Sequence, residues 1–300
     1  MRIGVFGGDT TSRTIDQIVA DARAAEAEGF ASYWLPQIFG LDAIGVLAIV
    51  GREVPRLEFG TAVVPTFPRH PTALAAQALT TAQACGGRFT LGIGLSHQLV
   101  VEGMWGMSYD KPAVHMREYL SILMPLVREG NVSFAGQGLT AHAPLTVADR
   151  QPMPVMIAAL APRMLELAGT LTDGTITWMT GPATLADYIV PNINKAAAAA
   201  GRPAPRVAAS LPVCLTDDPD GARTRAGEEF AMYGMLPSYR AMLDREGAEG
   251  PADVAIVGDE TTIAAALTRL ADGGVTDFAA ACSGSSEEQA RTRAFLRTLI

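Results

Sequence analysis

The stretch GGRFTLGIGLSHQ, residues 86–98, closes an apolar run with a glycine, a leucine, a serine and a histidine. Polar groups directly behind a buried strand do nothing for packing, so their chemistry comes first. Gly92 and Gly94 would let a ligand approach the backbone closely, and Ser96 and His97 would offer it hydrogen bonds. The plainer alternative is that the glycines only ease packing where the strand meets its loop. A hydrolase elbow would need G-x-S-x-G. Gln98 stands where the second glycine belongs, and a histidine immediately after the serine is not the triad base, which argues against acyl transfer.

Two other segments have the same character. GTAVVPTFPRHPTALAAQA carries prolines at 65, 68 and 71 with Arg69 and His70 between them, which reads as a stiff loop feeding a helix. In IAALAPRMLELAG, the small residues Ala158, Ala159 and Ala161 lead to Pro162 and Arg163 at a helix start. Free N–H groups beside a guanidinium suit a phosphate; a solvated surface charge is the other reading of Arg163. The segments Met104–Asp110 (MWGMSYD) and Thr177–Gly181 (TWMTG) either wall an apolar substrate pocket with Trp105 and Trp178 or bury them as core. An apolar pocket favours a hydrophobic or conjugated enone, imine or alcohol. His115 and His142 fit no metal pattern and are expected on the surface or in loops. Cys85, Cys214 and Cys282 lie far apart and are odd in number, which suggests reduced thiols in a cytosol and no metal site.

These residues need a scaffold, and the chain repeats one junction. AEAEGFASYWLP, AQACGGRFTLGIG, GTLTDGTITWMT and RLADGGVTDFAAA each run from a helix through glycine into a short apolar strand. Glycine suits the left-handed position after a helix, and strands alternating with helices predict a parallel sheet. Eight strands are expected, over Arg2–Phe6, Ser32–Leu35, Leu57–Val64, Phe89–Ile93, Val155–Ala159, Thr175–Trp178, Arg206–Leu215 and Thr276–Ala281. They are apolar on both faces, as strands packed on two sides should be. Eight such units predict a (β/α)8 TIM barrel; a doubly wound open sheet is the runner-up. Thr14–Gln17 reads as a capping box, and Pro71 and Pro162 fit the first turn of a helix. The expectation is one barrel domain over 1–300, with insertions near 131–153, read as a hairpin, and 217–253, neither apolar enough for its own core.

Composition sets outer limits. Of 300 residues, 49% are hydrophobic and 18% charged, enough for a large core, and the net charge of −8 gives no basic nucleic-acid footprint. The longest apolar run is too short to span a bilayer, and MRIGVF enters a strand pattern at once, so neither a signal peptide nor a membrane association is expected. A cytoplasmic homodimer acting on a small molecule is the expectation.

Taken together, MRIGVFGG, HPTALAAQALTTAQACGGRFTLGIGLSH and IAALAPRMLELAGTLTDGTITWM resemble the bacterial luciferase-like superfamily over nearly the whole chain. The nearer resemblance is to its branch of oxidoreductases that use the deazaflavin coenzyme F420. What this implies is a barrel binding F420, or alternatively FMN, at the C-terminal mouth. It implies a non-proline cis peptide behind the ring at Ala62–Val63. It puts the coenzyme's phosphate side on the loops after strands four and five, at Gly94, Ser96, His97, Ala159, Leu160, Ala161 and Arg163. Gln37 would face the ring, and Phe6, Trp105 and Trp178 would wall the substrate pocket. Some relatives carry a carboxylate at the end of strand one; here that place is Phe6, followed by Gly7, Gly8 and Asp9. Asp9 could stand in, so the catalytic proton donor is left unassigned. Hydride transfer asks the protein mainly for orientation and water exclusion, so few titratable groups are expected. An FMN-dependent monooxygenase served by a partner flavin reductase is the same-fold alternative, and a non-catalytic F420 or flavin carrier or sensor is the other.

Overall fold

A computed structural model describes residues 1–8 and 10–300. The strands are β1 (Arg2–Phe6), β2 (Ser32–Leu35), β3 (Glu58–Thr61), β4 (Val64–Pro65), β5 (Phe89–Gly94), β6 (Asn131–Ala135), β7 (Thr140–Pro144), β8 (Val155–Ala158), β9 (Gly174–Trp178), β10 (Arg206–Leu215), β11 (Ile256–Gly258) and β12 (Asp277–Cys282). Parallel pairing runs β1–β2–β3–β5–β8–β9–β10–β12 and returns to β1, so the sheet closes into an eight-stranded barrel. The (β/α)8 barrel read from the junctions is therefore the fold.

The helices, in chain order, are α1 (Ile15–Glu28), α2 (Ala43–Glu53), α3 (Pro71–Ala84), α4 (Gln98–Gly103), α5 (Pro112–Arg128), α6 (Pro162–Leu171), α7 (Pro182–Thr184), α8 (Val190–Ala199), α9 (Pro219–Glu229), α10 (Ala231–Met235), α11 (Pro237–Glu246), α12 (Pro251–Val254), α13 (Glu260–Asp272) and α14 (Ser286–Leu296). α1 starts from the Thr14–Gln17 capping box, with both reciprocal hydrogen bonds made, and stops at Gly29 in the left-handed region. Its apolar stripe Ile18, Val19, Ala22 and Ala25 is buried. α3 and α6 begin at Pro71 and Pro162, where a missing N–H costs nothing.

Two hydrophobic layers result. The larger fills the space between the strands and the outer helices. The smaller lies inside the barrel: Trp34, Met156, Ile176, Ala208 and Ala279 form a plug on which Phe6, Ala62 and Val63 rest. At the opposite, N-terminal end the barrel is closed by charge. Arg206 binds Asp277 through Nε and a terminal nitrogen (3.2 and 2.9 Å) and Glu58 through the other (2.9 Å). Arg2 reaches the same two carboxylates. Burial alone would raise the pKa of Asp277, but the Arg206 hydrogen bonds and charge outweigh it and hold the carboxyl below its usual range.

Three features extend or depart from the sequence reading. The third strand does not run unbroken from 57 to 64; it splits at Ala62–Val63 into β3 and β4. A further short strand, β11, adds to the end of β10, which is long enough to hold partners beyond β9. The 217–253 segment folds as four helices, α9 to α12, around the mouth.

Residues 131–144 form the antiparallel hairpin β6–β7. Its turn is anchored by one buried carboxylate. Glu118 on α5 accepts backbone N–H bonds from Gln137 (2.7 Å), Gly138 (2.9 Å) and Leu139 (2.9 Å). Desolvation acts to raise its pKa, and the three backbone donors overcome this and lower it. A lowered folded-state pKa gives stability that is present above the unfolded value, near 4.3, and is lost as pH falls through the folded value. Glu118→Gln keeps the shape but loses the charge and one acceptor. We expect it to cost about 1–2 kcal/mol at pH 7, with the gap to wild type closing below about pH 4. Urea melts at pH 7 and pH 3.5 check this; a gap independent of pH would mean that the carboxylate's charge does not matter.

Candidate functional site

The C-terminal ends of the barrel strands gather most of the residues singled out above. The peptide bond between Ala62 and Val63 is cis, at the position the resemblance implies. It is held from below by the barrel plug and from the side by β5. Thr61 Oγ1 donates to Gly92 O (2.7 Å) and accepts from Gly92 N (2.8 Å). A Cβ on Gly92 would run into Thr61 O, and one on Gly94 would lie 2.6 Å from Val63 Cγ2 and 3.3 Å from the Cβ of Ala158. The two glycines thus admit the neighbouring strand. This is the packing role weighed as the plainer alternative: Gly94 seats Val63.

Immediately after β5 the backbone turns sharply. Ser96 is in the left-handed region (φ 61°), a conformation that costs a non-glycine residue about 1–3 kcal/mol and gathers at functional sites. Its carbonyl accepts from Tyr109 Oη at 3.3 Å. His97 precedes α4 and makes no side-chain capping bond. Its ring instead leans on Tyr239 of α11, centroids 5.7 Å apart. Burial lowers the His97 pKa, so the imidazole is neutral at pH 7. β8 lies beside β5 in the barrel. After it, Ala159 is buried, Leu160 is half-buried, and the exposed Ala161 starts α6 without any side-chain cap. Arg163 in the first turn is exposed and, among the described residues, no carboxylate pairs with it.

Phe6 and Trp178 do meet. Their rings stack at 5.3 Å with planes 15° apart, at the ends of β1 and β9. Met179, next in sequence, is also left-handed (φ 51°). Phe230 and Tyr233 then present their edges to the indole, at 5.7 Å and 79° and at 6.0 Å and 71°. Tyr239 packs against Tyr233 at 5.1 Å. The insertion therefore supplies three rings that sequence reasoning missed. The available signal was the spacing F-x-x-Y-x-x-x-x-x-Y within an otherwise polar segment.

Other expectations are redirected. Trp105 is half-buried in the loop after α4 and, among the described residues, stacks on no other ring. Gln37 stands just after β2, and its Oε1 accepts from Ala43 N (2.9 Å). His115 is not a surface or loop residue. It lies on α5, flat against Phe67 (4.1 Å, 6°), with Nε2 3.1 Å from Thr66 Oγ1. His142 is on β7, exposed, beside Ser133 Oγ (3.0 Å). Arg69 is tied to Asp42, and His70 caps α3 through Thr72 N. Burial pushes the thiols of Cys85 and Cys214 up to about 11 and that of Cys282 up to about 12, which leaves them protonated and inert at neutral pH. Asp9, weighed above as a stand-in carboxylate, lies outside the described residues.

A closed parallel barrel with strained backbone, stacked rings and an arginine that no carboxylate pairs with among the described residues at its strand C-termini has the layout of a ligand-binding barrel enzyme. Residues 1–294 match the model of the luciferase-like monooxygenase family, and the chain belongs to that family. It is 29% identical over 297 residues, 93% of this chain and 83% of the relative, to a Mycobacterium tuberculosis protein described as a putative coenzyme F420-dependent oxidoreductase. It is 27% identical over 277 residues to the F420-dependent glucose-6-phosphate dehydrogenase of Kineococcus radiotolerans, covering 87% of this chain and 80% of that one. Among solved structures, an F420-dependent secondary alcohol dehydrogenase in complex with an F420–acetone adduct superposes with a TM-score of 0.83 at 17% identity, over 100% of this chain and 98% of that one. That last likeness is one of fold.

The seat of Val63 is directly testable. Gly94→Ala should cost about 1–3 kcal/mol through overpacking, and Val63→Ala in the same chain should recover much of it, since the contact removed is the one at 2.6 Å. Thermal melts of the two single variants and the double variant measure the coupling. Additive losses would show that Gly94 is needed for some other reason.

Proposed function

We propose that the chain is an oxidoreductase that transfers a hydride between coenzyme F420 and a small organic substrate at the barrel mouth. The single observation that carries this is the pairing at one rim of an apolar floor, Ala62–Val63 on the barrel plug, with Arg163, which no carboxylate pairs with among the described residues, at the start of α6, which has no side-chain cap. A flat ring with a phosphate-bearing tail matches both: the ring rests on the floor and the anion meets helix N–H groups and a guanidinium. The F420 names of the relatives described above support the same coenzyme. When bound, F420 supplies a two-electron hydride carrier that does not react quickly with oxygen.

The rest falls to this chain's own side chains. Ala62 and Val63 back the ring. The Ser96 turn and Ala159–Arg163 bind the phosphate side, and the amide NH2 of Gln37 orients the ring edge. Phe6, Trp178, Phe230 and Tyr233 exclude water from the reacting face. His97 is the one half-buried imidazole at the mouth whose ring nitrogens are not engaged by a protein group among the described residues. We assign to its ring nitrogen the proton that must accompany each hydride. Burial keeps it neutral, so in the oxidising direction it acts as a base.

The family's monooxygenase name keeps an FMN reading in view, in which reduced flavin comes from a separate reductase. Fluorescence titration separates the two. We expect F420 to bind at micromolar concentration or tighter and FMN clearly more weakly; equal or tighter FMN binding would sink the F420 assignment. Turnover of any acceptor by reduced F420 would dispose of a carrier or sensor role. Arg163→Ala and Ser96→Ala should each weaken F420 binding by roughly ten- to a hundredfold, the equivalent of about 1.5–3 kcal/mol.

His97 has a different signature. His97→Gln should leave F420 affinity within a few fold but remove the acid limb of kcat/KM for alcohol oxidation. In wild type that limb lies below the ordinary imidazole value of about 6.5, because the neutral base is lost only as pH drops through a lowered pKa. An unchanged pH profile in the variant would clear His97 of this role.

A further inference from the structure

At the N-terminal end of the barrel, opposite the mouth, a cavity of about 370 Å3 is lined by Arg2, Arg56, Arg88, Arg206 and Glu58 among others. That volume lies at the small end of the roughly 300–1,000 Å3 typical of small-molecule sites. The charges of its wall are four guanidiniums against one carboxylate. The other balancing acids stand behind: Asp277 and Glu26 are 2% and 12% exposed, whereas their partners Arg2 and Arg56 are 46% and 72% exposed. Glu58 is itself engaged. Its Oε1 accepts from Arg206 and from Thr90 Oγ1, both at 2.9 Å, and its Oε2 accepts from Arg2 at 2.7 Å. Arg88 has no carboxylate partner among the described residues. Its terminal nitrogens donate to the carbonyls of Gly51, Val54 and Leu57, at and beyond the end of α2, and this uses three of the five N–H groups a guanidinium offers. The buried charges thus satisfy one another, yet the surface they present is positive. On a chain of net charge −8, such a concave patch gathers small anions, while the chain as a whole repels an extended polyanion.

We propose that this cavity is a second ligand site, separate from the mouth and independent of the coenzyme reading, and that it binds a phosphate group, free or as a small organic monoester. Guanidinium forks match phosphate oxygens in pairs. A phosphate brings about two negative charges and oxygens that point in several directions, which suits arginines converging from different strands; a carboxylate brings one charge in one plane. The arginines stand at or just before the starts of β1, β3, β5 and β10. β10 pairs with β9, β11 and β12 and with none of β1, β3 and β5. Among the described residues, Arg206 reaches across to that side through Arg206–Glu58 and Arg206–Thr90 Oγ1 (3.2 Å). A phosphate held by Arg56, Arg88 and Arg206 bridges strands that share no backbone hydrogen bonds, so its binding stabilises the closed barrel by mass action.

The test is a calorimetric titration of inorganic phosphate, glycerol 1-phosphate and acetate into the purified full chain at constant ionic strength, for wild type, Arg56→Gln, Arg88→Lys and Arg163→Ala. Inorganic phosphate should bind at millimolar concentration or tighter, and acetate about tenfold more weakly or worse. Arg56→Gln alters an exposed side chain and should weaken phosphate about tenfold. Arg88→Lys keeps the charge, loses the fork and should do so by a smaller factor. Arg163→Ala, at the other end of the barrel, should leave phosphate affinity within about twofold. Phosphate at about ten times its Kd should raise the wild-type Tm by roughly 2–4 °C. Tighter binding of glycerol 1-phosphate than of inorganic phosphate would identify a monoester as the ligand; equal binding would show that the phosphate group alone is read. No phosphate binding, acetate binding as tight as phosphate, or wild-type affinity in both Arg56→Gln and Arg88→Lys would each overturn the proposal. So would a loss confined to Arg163→Ala, which would put the anion at the mouth. Melts without phosphate establish that each variant is folded, and Arg56→Gln decides the matter if Arg88→Lys is not. If wild type fails to bind F420 while phosphate binding still depends on Arg56, the coenzyme reading falls and this one stands.

Discussion

The mouth depends on one close approach between strands. Thr61 Oγ1 both donates to and accepts from the backbone of Gly92, and this is possible only because Gly92 has no Cβ to occupy the space. One residue pair further along, the same absence at Gly94 lets Val63 lie against β5. The Ala62–Val63 turn, the split into β3 and β4 and the apolar floor of the site all follow from these contacts. A side chain at either glycine would push the third strand outward and lift the floor from the Trp34–Met156–Ile176 plug.

The two ends of the barrel solve opposite problems. The N-terminal end is finished with saturated charge: Arg2, Arg206, Glu58 and Asp277 satisfy one another, as buried charges must. The C-terminal end is left unsatisfied. Among the described residues no acid pairs with Arg163, α6 has no side-chain cap, and Ser96 and Met179 hold left-handed backbone. A fold tolerates such features where ligand contacts offset them.

The 217–253 insertion links scaffold to site. Its aromatic residues pack on Trp178 and on one another, and it is held both by Met242 and Leu243, buried in the main core, and by polar contacts: Glu246 reaches the start of α7, and Arg240 ties α11 to the carbonyls of Ala248 and Glu249.

Local sequence was enough for the elements. Four strands, β1, β2, β10 and, apart from its final glycine, β5, sit where the apolar runs put them, because strands buried on both sides must be apolar throughout and glycine must end the helices before them. The Thr14–Gln17 box and Pro71 and Pro162 are likewise local effects. The rings of Phe230, Tyr233 and Tyr239 were not legible, since they lie on short helices without a clear apolar period, and only closure of the barrel brings them onto Trp178. Nor was the true use of Gly92 and Gly94, because what a missing Cβ makes room for is decided by the neighbouring strand. The ring contacts of His115 and the capping role of Gln37 have the same cause. Sequence determines which residues are apolar, polar or bent along the chain; the pairing of distant strands decides which atoms those residues face.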